Sequence, residues 1–132
     1  REDGSIVAYL RPKGFKRVMR SESLDGGITW SAARKTELMN PQSGIDAVKL
    51  HDGGWVLVHN DSDRSRGTLS MSTSTNEGES WKLRMNLENE PEEEFSYPAV
   101  IQDSRGDVHI TYTFKRKCIK HVKIKESRIN GS

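Results

Sequence analysis

The sequence predicts an all-β chain: a partial β-propeller of about two and a half four-stranded antiparallel blades with repeated turns. Three observations predict it. The octet Ser23-Leu24-Asp25-Gly26-Gly27-Ile28-Thr29-Trp30 returns 51 residues later as Ser74-Thr75-Asn76-Glu77-Gly78-Glu79-Ser80-Trp81, in the same register and with the same terminal tryptophan. The turn glycines Gly4, Gly54 and Gly106 fall 50 and 52 residues apart, with short β-type runs between them. No segment sustains a helical period. A period near fifty with four strands per unit is the spacing of propeller blades.

Each octet has a local chemistry. Asp25 and Asn76 can accept hydrogen bonds from backbone N–H groups further along, which folds the chain into a tight turn. A glycine supplies the positive φ that such a turn often needs. Thr29 or Ser80 then restarts a strand, and the tryptophan pins the turn against its neighbours.

In chain order, Ser5–Leu10 reads as a strand after the Asp3-Gly4 turn, and Arg11-Pro12-Lys13-Gly14 breaks it. Residues 16–23 lead to the first octet, and Thr29-Trp30-Ser31 opens the next strand. Past the loop 39–43 come Ile45–Leu50, the turn His51-Asp52-Gly53-Gly54, Trp55–His59, Thr68–Thr73, the second octet and Trp81–Met85. After the acidic loop Glu88–Glu94 the pattern restarts with Tyr97–Gln102, Val108–Thr113 and Cys118–Ile124. Blades are expected over residues 1–38, 39–89 and 90–130, the first lacking its opening strand and the last its fourth. Propellers close with about 4–8 blades, so the chain is read as a piece of a longer protein, or as one of several copies completing a ring. The opening at Arg1 rather than Met, and the close at Asn130-Gly131-Ser132, fit a cut piece.

Composition narrows the function classes. A 132-residue chain that is 33% hydrophobic and 30% charged holds one domain with a moderate core. A net charge of +2 gives no argument for a nucleic-acid or membrane partner. No apolar run approaches the ~20 residues of a membrane span. The single cysteine, Cys118, excludes an intrachain disulfide framework and is expected as a small buried hydrophobe. The compartment stays open. His51, His59, His109 and His121 lack metal-ligand spacing, and Glu92-Glu93-Glu94 lacks the alternating oxygens of a calcium loop.

At this point the residues resemble a known family. The octets look like the Asp-boxes (BNR repeats) of sialidases, whose catalytic domain is a six-bladed propeller. The likeness extends to Ala8–Pro12, Asn40–Val48, Phe95–Gln102, Ile110–Thr113 and Ile119–Val122, which resemble a bacterial and plant branch of sialidase-like proteins. The resemblance implies a sialic-acid-type glycan or related acidic sugar as ligand, with no cofactor and no metal. It also implies three arginines on the sugar carboxylate, a tyrosine nucleophile assisted by a glutamate, and an aspartate acid/base. Guanidinium forks suit a carboxylate through paired hydrogen bonds. A neutral phenol approaches an anomeric carbon bearing that carboxylate with less repulsion than an anion would, and sialidases are the tyrosine exception among glycosidases.

By resemblance, Arg11 matches the second arginine, Arg66 the third with Arg64 as alternative, and Tyr97 the nucleophile, while Asp46 could face the central site. From the residues alone, Arg11 reads as a solvated turn residue, Arg64 and Arg66 as loop arginines, Tyr97 as a core or interface aromatic and Asp46 as a turn-bonded carboxylate. The chain departs from the family at Thr113, where a glutamate usually follows the tyrosine. The first arginine and the acid/base aspartate belong to earlier blades. The expectation is therefore a sialidase-like segment inactive alone, against the alternatives of a non-catalytic glycan- or protein-binding module and a homo-oligomeric propeller.

Overall fold

The computed structural model describes residues 1–130. Gly131 and Ser132, read above as part of a cut end, lie outside the described residues. Ten strands follow in order: β1 (Ile6–Leu10), β2 (Arg17–Ser23), β3 (Arg34–Met39), β4 (Asp46–Lys49), β5 (Trp55–Asn60), β6 (Thr68–Ser74), β7 (Lys82–Asn89), β8 (Phe95–Gln102), β9 (Val108–Phe114) and β10 (Cys118–Ile124). A short helix, α1 (Glu126–Asn130), comes last. The strands form three antiparallel meanders, β1-β2-β3, β4-β5-β6-β7 and β8-β9-β10. The octets join β2 to β3 and β6 to β7, so β1 corresponds to β5, while β8 stands where β4 does.

The middle sheet is covered on both sides, and β5 shows why its apolar run is continuous rather than alternating. Val56 and Val58 join Leu69 and Met71 against Phe95, Val100, Val108, Ile110 and Tyr112 of the third sheet. Leu57, on the opposite face, packs with Val18 and Leu38 of the first. Each such fully buried aliphatic side chain contributes roughly 1.5–3 kcal/mol.

The two octets fold alike. Asp25 accepts from the Thr29 N–H (2.8 Å) and hydroxyl (2.5 Å) and from the Ser23 hydroxyl (2.9 Å), while the Gly27 N–H donates to Ser23 Oγ (2.8 Å). Asn76 likewise accepts from the Ser80 N–H (3.0 Å) and the Ser74 hydroxyl (2.9 Å), and the Gly78 N–H donates to Ser74 Oγ (2.9 Å). These bonds correct one expectation. Thr29 and Trp30 do not restart a strand, because the Thr29 donors and the Trp30 indole N–H, on Gly27 O at 3.0 Å, are held within the turn. The strand begins only at Arg34.

The second octet also docks onto the first sheet. Tyr9 lies edge-on to Trp81 and Trp55, with centroids 5.6 and 6.4 Å away. Gly78 is obligatory there: a Cβ would meet the Tyr9 hydroxyl at 2.0 Å, at φ +78°. Arg20, 1% exposed, donates to Gly78 O (2.7 Å) and pairs with Glu22 (2.6 Å) and Glu79 (2.9 Å). Cys118 is exposed, not buried as expected, because it opens the edge strand β10 straight after a tight turn.

Candidate functional site

Strand direction sorts the loops onto two ends. One end carries both octets and the turns at 50–54 and 103–106; the other carries Arg11, loop 40–44, segment 61–67 and the start of β8. The chemistry expected from the sequence lies at the second end.

Tyr97 is aimed by a defect in its strand. The register between β8 and β9 shifts between Ser96 and Ala99, and Tyr97 has φ +53°. A left-handed backbone at an aromatic residue is an outlier costing about 1–3 kcal/mol, and bulges of this kind re-aim side chains. Here Ser96 and Pro98 stay buried while the Tyr97 ring is 57% exposed. Its flank rests on Gly44, where an added Cβ would stand 3.1 Å from Tyr97 Cδ1.

A guanidinium group lies over this ring. The Arg66 Cζ lies 5.4 Å from its centroid. Hydrogen bonding from Arg66, and then from Arg11, holds the Tyr97 hydroxyl below its ordinary pKa. Arg11 is anchored by donation from Nε to Gln42 O at 2.9 Å. Arg66 Nη1 faces Glu94 Oε1 at 3.3 Å, and Glu94 also pairs with Arg116 Nε at 2.6 Å. Arg11, Arg66 and Tyr97, 86 residues apart end to end, thus share one cluster.

The other two predicted residues have different partners. The Arg64 side chain is 87% exposed and pairs with its neighbour Asp63, at 3.5 Å. Asp46 accepts the Val100 N–H at 2.8 Å, tying β4 to β8.

Sequence reasoning missed the polar scaffold beneath the cluster. Asn40, Ser43 and Asn60 are fully buried. Asn40 Oδ1 accepts the Ser43 N–H (2.7 Å), and the Ser43 hydroxyl donates to Asn60 Oδ1 (2.6 Å). The sequence signal for it was the Asn40–Val48 segment of the family likeness. His109 and His121, scattered in sequence, also meet: their rings stack at 5.1 Å, with Nδ1 of one 2.9 Å from Nε2 of the other, and His109 Nε2 faces Asp103 at 2.9 Å. Among the described residues no group of three or more His, Cys, Asp or Glu is placed to hold a metal ion. A cleft of about 680 Å³ beside Trp55, Thr75 and Lys82 lies at the octet end and includes none of the predicted site residues.

The bladed meanders and their octet turns define the class, a segment of a sialidase-like β-propeller. The BNR repeat-like domain model matches residues 1–110, and the chain belongs to that family. No curated relative matches significantly. Among solved structures, the intramolecular trans-sialidase from Ruminococcus gnavus, in complex with oseltamivir carboxylate, superposes with a TM-score of 0.77 at 18% identity, over 98% of this chain and 32% of that one. The leech intramolecular trans-sialidase, complexed with 2,7-anhydro-Neu5Ac, gives 0.74 at 19% identity, over 97% and 23%. An α-L-arabinofuranosidase of Fusarium graminearum gives 0.71 at 14% identity, over 92% and 42%. The chain spans less than half the length of each of these proteins.

Proposed function

We propose that the protein is part of a sialidase-like glycoside hydrolase in which Arg11 and Arg66 grip a sugar carboxylate and Tyr97 is the nucleophile. The Arg66 guanidinium over the Tyr97 ring, with Arg11 beside it lowering the hydroxyl's pKa, carries this reading. The ligand is a sialic-acid-type glycan or a related acidic sugar; the trans-sialidase neighbours, with their oseltamivir carboxylate and anhydro-Neu5Ac ligands, support it.

In this reading the arginines hold the carboxylate and ease loss of the phenol proton as the neutral Tyr97 hydroxyl attacks. The Tyr97 oxygen attacks the anomeric carbon as its proton passes to an assisting carboxylate from another blade, the glycosidic C–O bond breaks with its electron pair on the leaving oxygen, and water later cleaves the tyrosyl adduct and restores the phenol. The leaving oxygen needs a proton donor. Glu94, the carboxylate paired with Arg66, is also engaged by Arg116. The donor and the first arginine therefore come from other blades, supplied by a longer chain or a second copy, and these 132 residues alone are inactive.

The test is hydrolysis of a fluorogenic sialoside by the full-length protein. Turnover abolished by Tyr97→Phe supports the proposal; undiminished turnover in that variant contradicts the nucleophile. A second reading, a non-catalytic glycan-binding module, is favoured by Thr113 in place of the family's glutamate. It predicts sialoside binding without turnover.

A further inference from the structure

Resting on that reading of the site, we propose that Asn60 is its positioning residue: one buried amide that sets Arg11, Arg66 and Tyr97 relative to one another. Asn60 ends β5 and is fully buried. Its Nδ2 donates to Phe95 O (2.8 Å), Thr68 O (3.1 Å) and Arg66 O (3.2 Å). Its Oδ1 accepts the Ser43 hydroxyl at 2.6 Å. The surroundings dictate the amide's orientation, since three carbonyl oxygens require a donor and the hydroxyl can supply a proton to the other side.

Three of these four partners lead to the cluster. Arg66 O belongs to the residue whose guanidinium lies over the Tyr97 ring, and it also accepts the Phe95 N–H at 2.9 Å. Phe95 lies two residues before Tyr97, on the stretch of β8 that bulges. Ser43 sits between Gln42, whose carbonyl anchors Arg11, and Gly44, against which the Tyr97 ring rests. Three chain segments, distant in sequence, thus share a single side chain as their common fastening. Gln42 and Tyr97 both hold left-handed backbones, at φ +69° and +53°. Such conformations persist only where the surroundings over-determine them, and this network is the surrounding structure at both places.

Asn60 touches neither the ring nor a guanidinium, so its removal acts through them. The experiment compares Asn60→Asp, Ser43→Ala and a distant core variant, Val108→Ala, in the full-length protein. Tyr97 titration is followed by NMR on ring-labelled tyrosine, assigned with Tyr97→Phe, beside thermal midpoints and sialoside kcat/KM. Asn60→Asp puts an acceptor against three carbonyls, and Ser43→Ala cuts the tie to loop 40–44. Both are expected to raise the Tyr97 pKa toward the ordinary tyrosine value and to lower kcat/KM by up to about 10²-fold, the scale of a misplacement near 1 Å. Val108→Ala is expected to lower the midpoint with the Tyr97 titration unchanged. Should Asn60→Asp fail to fold, Ser43→Ala decides. An unchanged Tyr97 titration in the folded variants, with only the midpoint lowered, overturns the proposal. A shifted titration in a protein whose parent neither binds nor cleaves sialosides leaves Asn60 as the positioning residue and overturns the proposed function instead.

Discussion

At Tyr97 the physics of a single residue carries the functional argument. A ring more than half exposed, on a backbone conformation that its side chain disfavours, has no packing reason to be there. Its two guanidinium neighbours supply an electrostatic one. Because hydrogen bonding from Arg66 is the largest cause of the lowered pKa and that from Arg11 the next, Arg66→Ala is expected to raise the Tyr97 pKa more than Arg11→Ala does. NMR titration of labelled tyrosine checks the order, and equal or absent shifts contradict the geometry. The choice between Arg64 and Arg66 could not be made from residue type, since both occupy one polar loop. In space Arg66 is held over the ring beside Glu94, while the Arg64 guanidinium pairs with Asp63, which supports Arg66 in the proposed role. Asn60 and Ser43 were illegible for a related reason. A polar residue at a strand end ordinarily faces water, and only the tertiary approach of β8 and loop 40–44 buries these two.

The octet is the element whose sequence was most nearly sufficient. Its hydrogen bonds are local, so Asp25 and Asn76 make the expected turn without tertiary help. What the residues did not disclose was that the turn keeps Thr29 and Trp30 out of β3. The Thr29 hydroxyl and N–H, followed by the Ser23 hydroxyl, hold the Asp25 carboxyl at about 2, well below the ordinary range. A folded-state pKa lowered in this way adds stability above the unfolded pKa, and that stability is lost as pH falls through the folded value. The contribution of Asp25 is therefore expected to disappear from about pH 4 to about pH 2. Asp25→Asn copies the second octet and is expected to leave the fold intact while removing this part of the acid dependence. Acid titration of the thermal midpoint checks it; an unchanged acid limb contradicts the assignment.

Over the whole molecule, the blade period made the three sheets legible, and the burial of their faces explains what it left out. The middle sheet is sandwiched, which makes Trp55–Val58 of β5 a continuous apolar run and buries His59 at its end. His59 Nδ1 donates to Met39 O at 2.8 Å and Nε2 accepts the Ser72 hydroxyl at 3.0 Å, so the neutral ring is the form that fits. Burial lowers its pKa from 6.5. The unfolded chain then binds the extra proton, and stability falls as pH drops below about 6.5. Thermal midpoints of the full-length protein are expected to decline from about pH 7 to about pH 5, with a flatter profile in His59→Gln. The outer sheets, by contrast, leave apolar side chains bare: Ile6 and Leu10 on one flank, Ile101 and Ile119 on the other, the last two 62% and 68% exposed. In the proposed propeller those flanks are the faces on which neighbouring blades would pack.

The central claim is that this end of the blades recognises a sugar by its carboxylate. Titration calorimetry of the full-length protein with N-acetylneuraminic acid and with its methyl ester tests it most directly, because the ester keeps the sugar and removes the charge. The account predicts that the acid binds, that the ester binds at least about tenfold more weakly, and that Arg66→Ala removes the difference. Equal binding of acid and ester, or no binding of either, would contradict it.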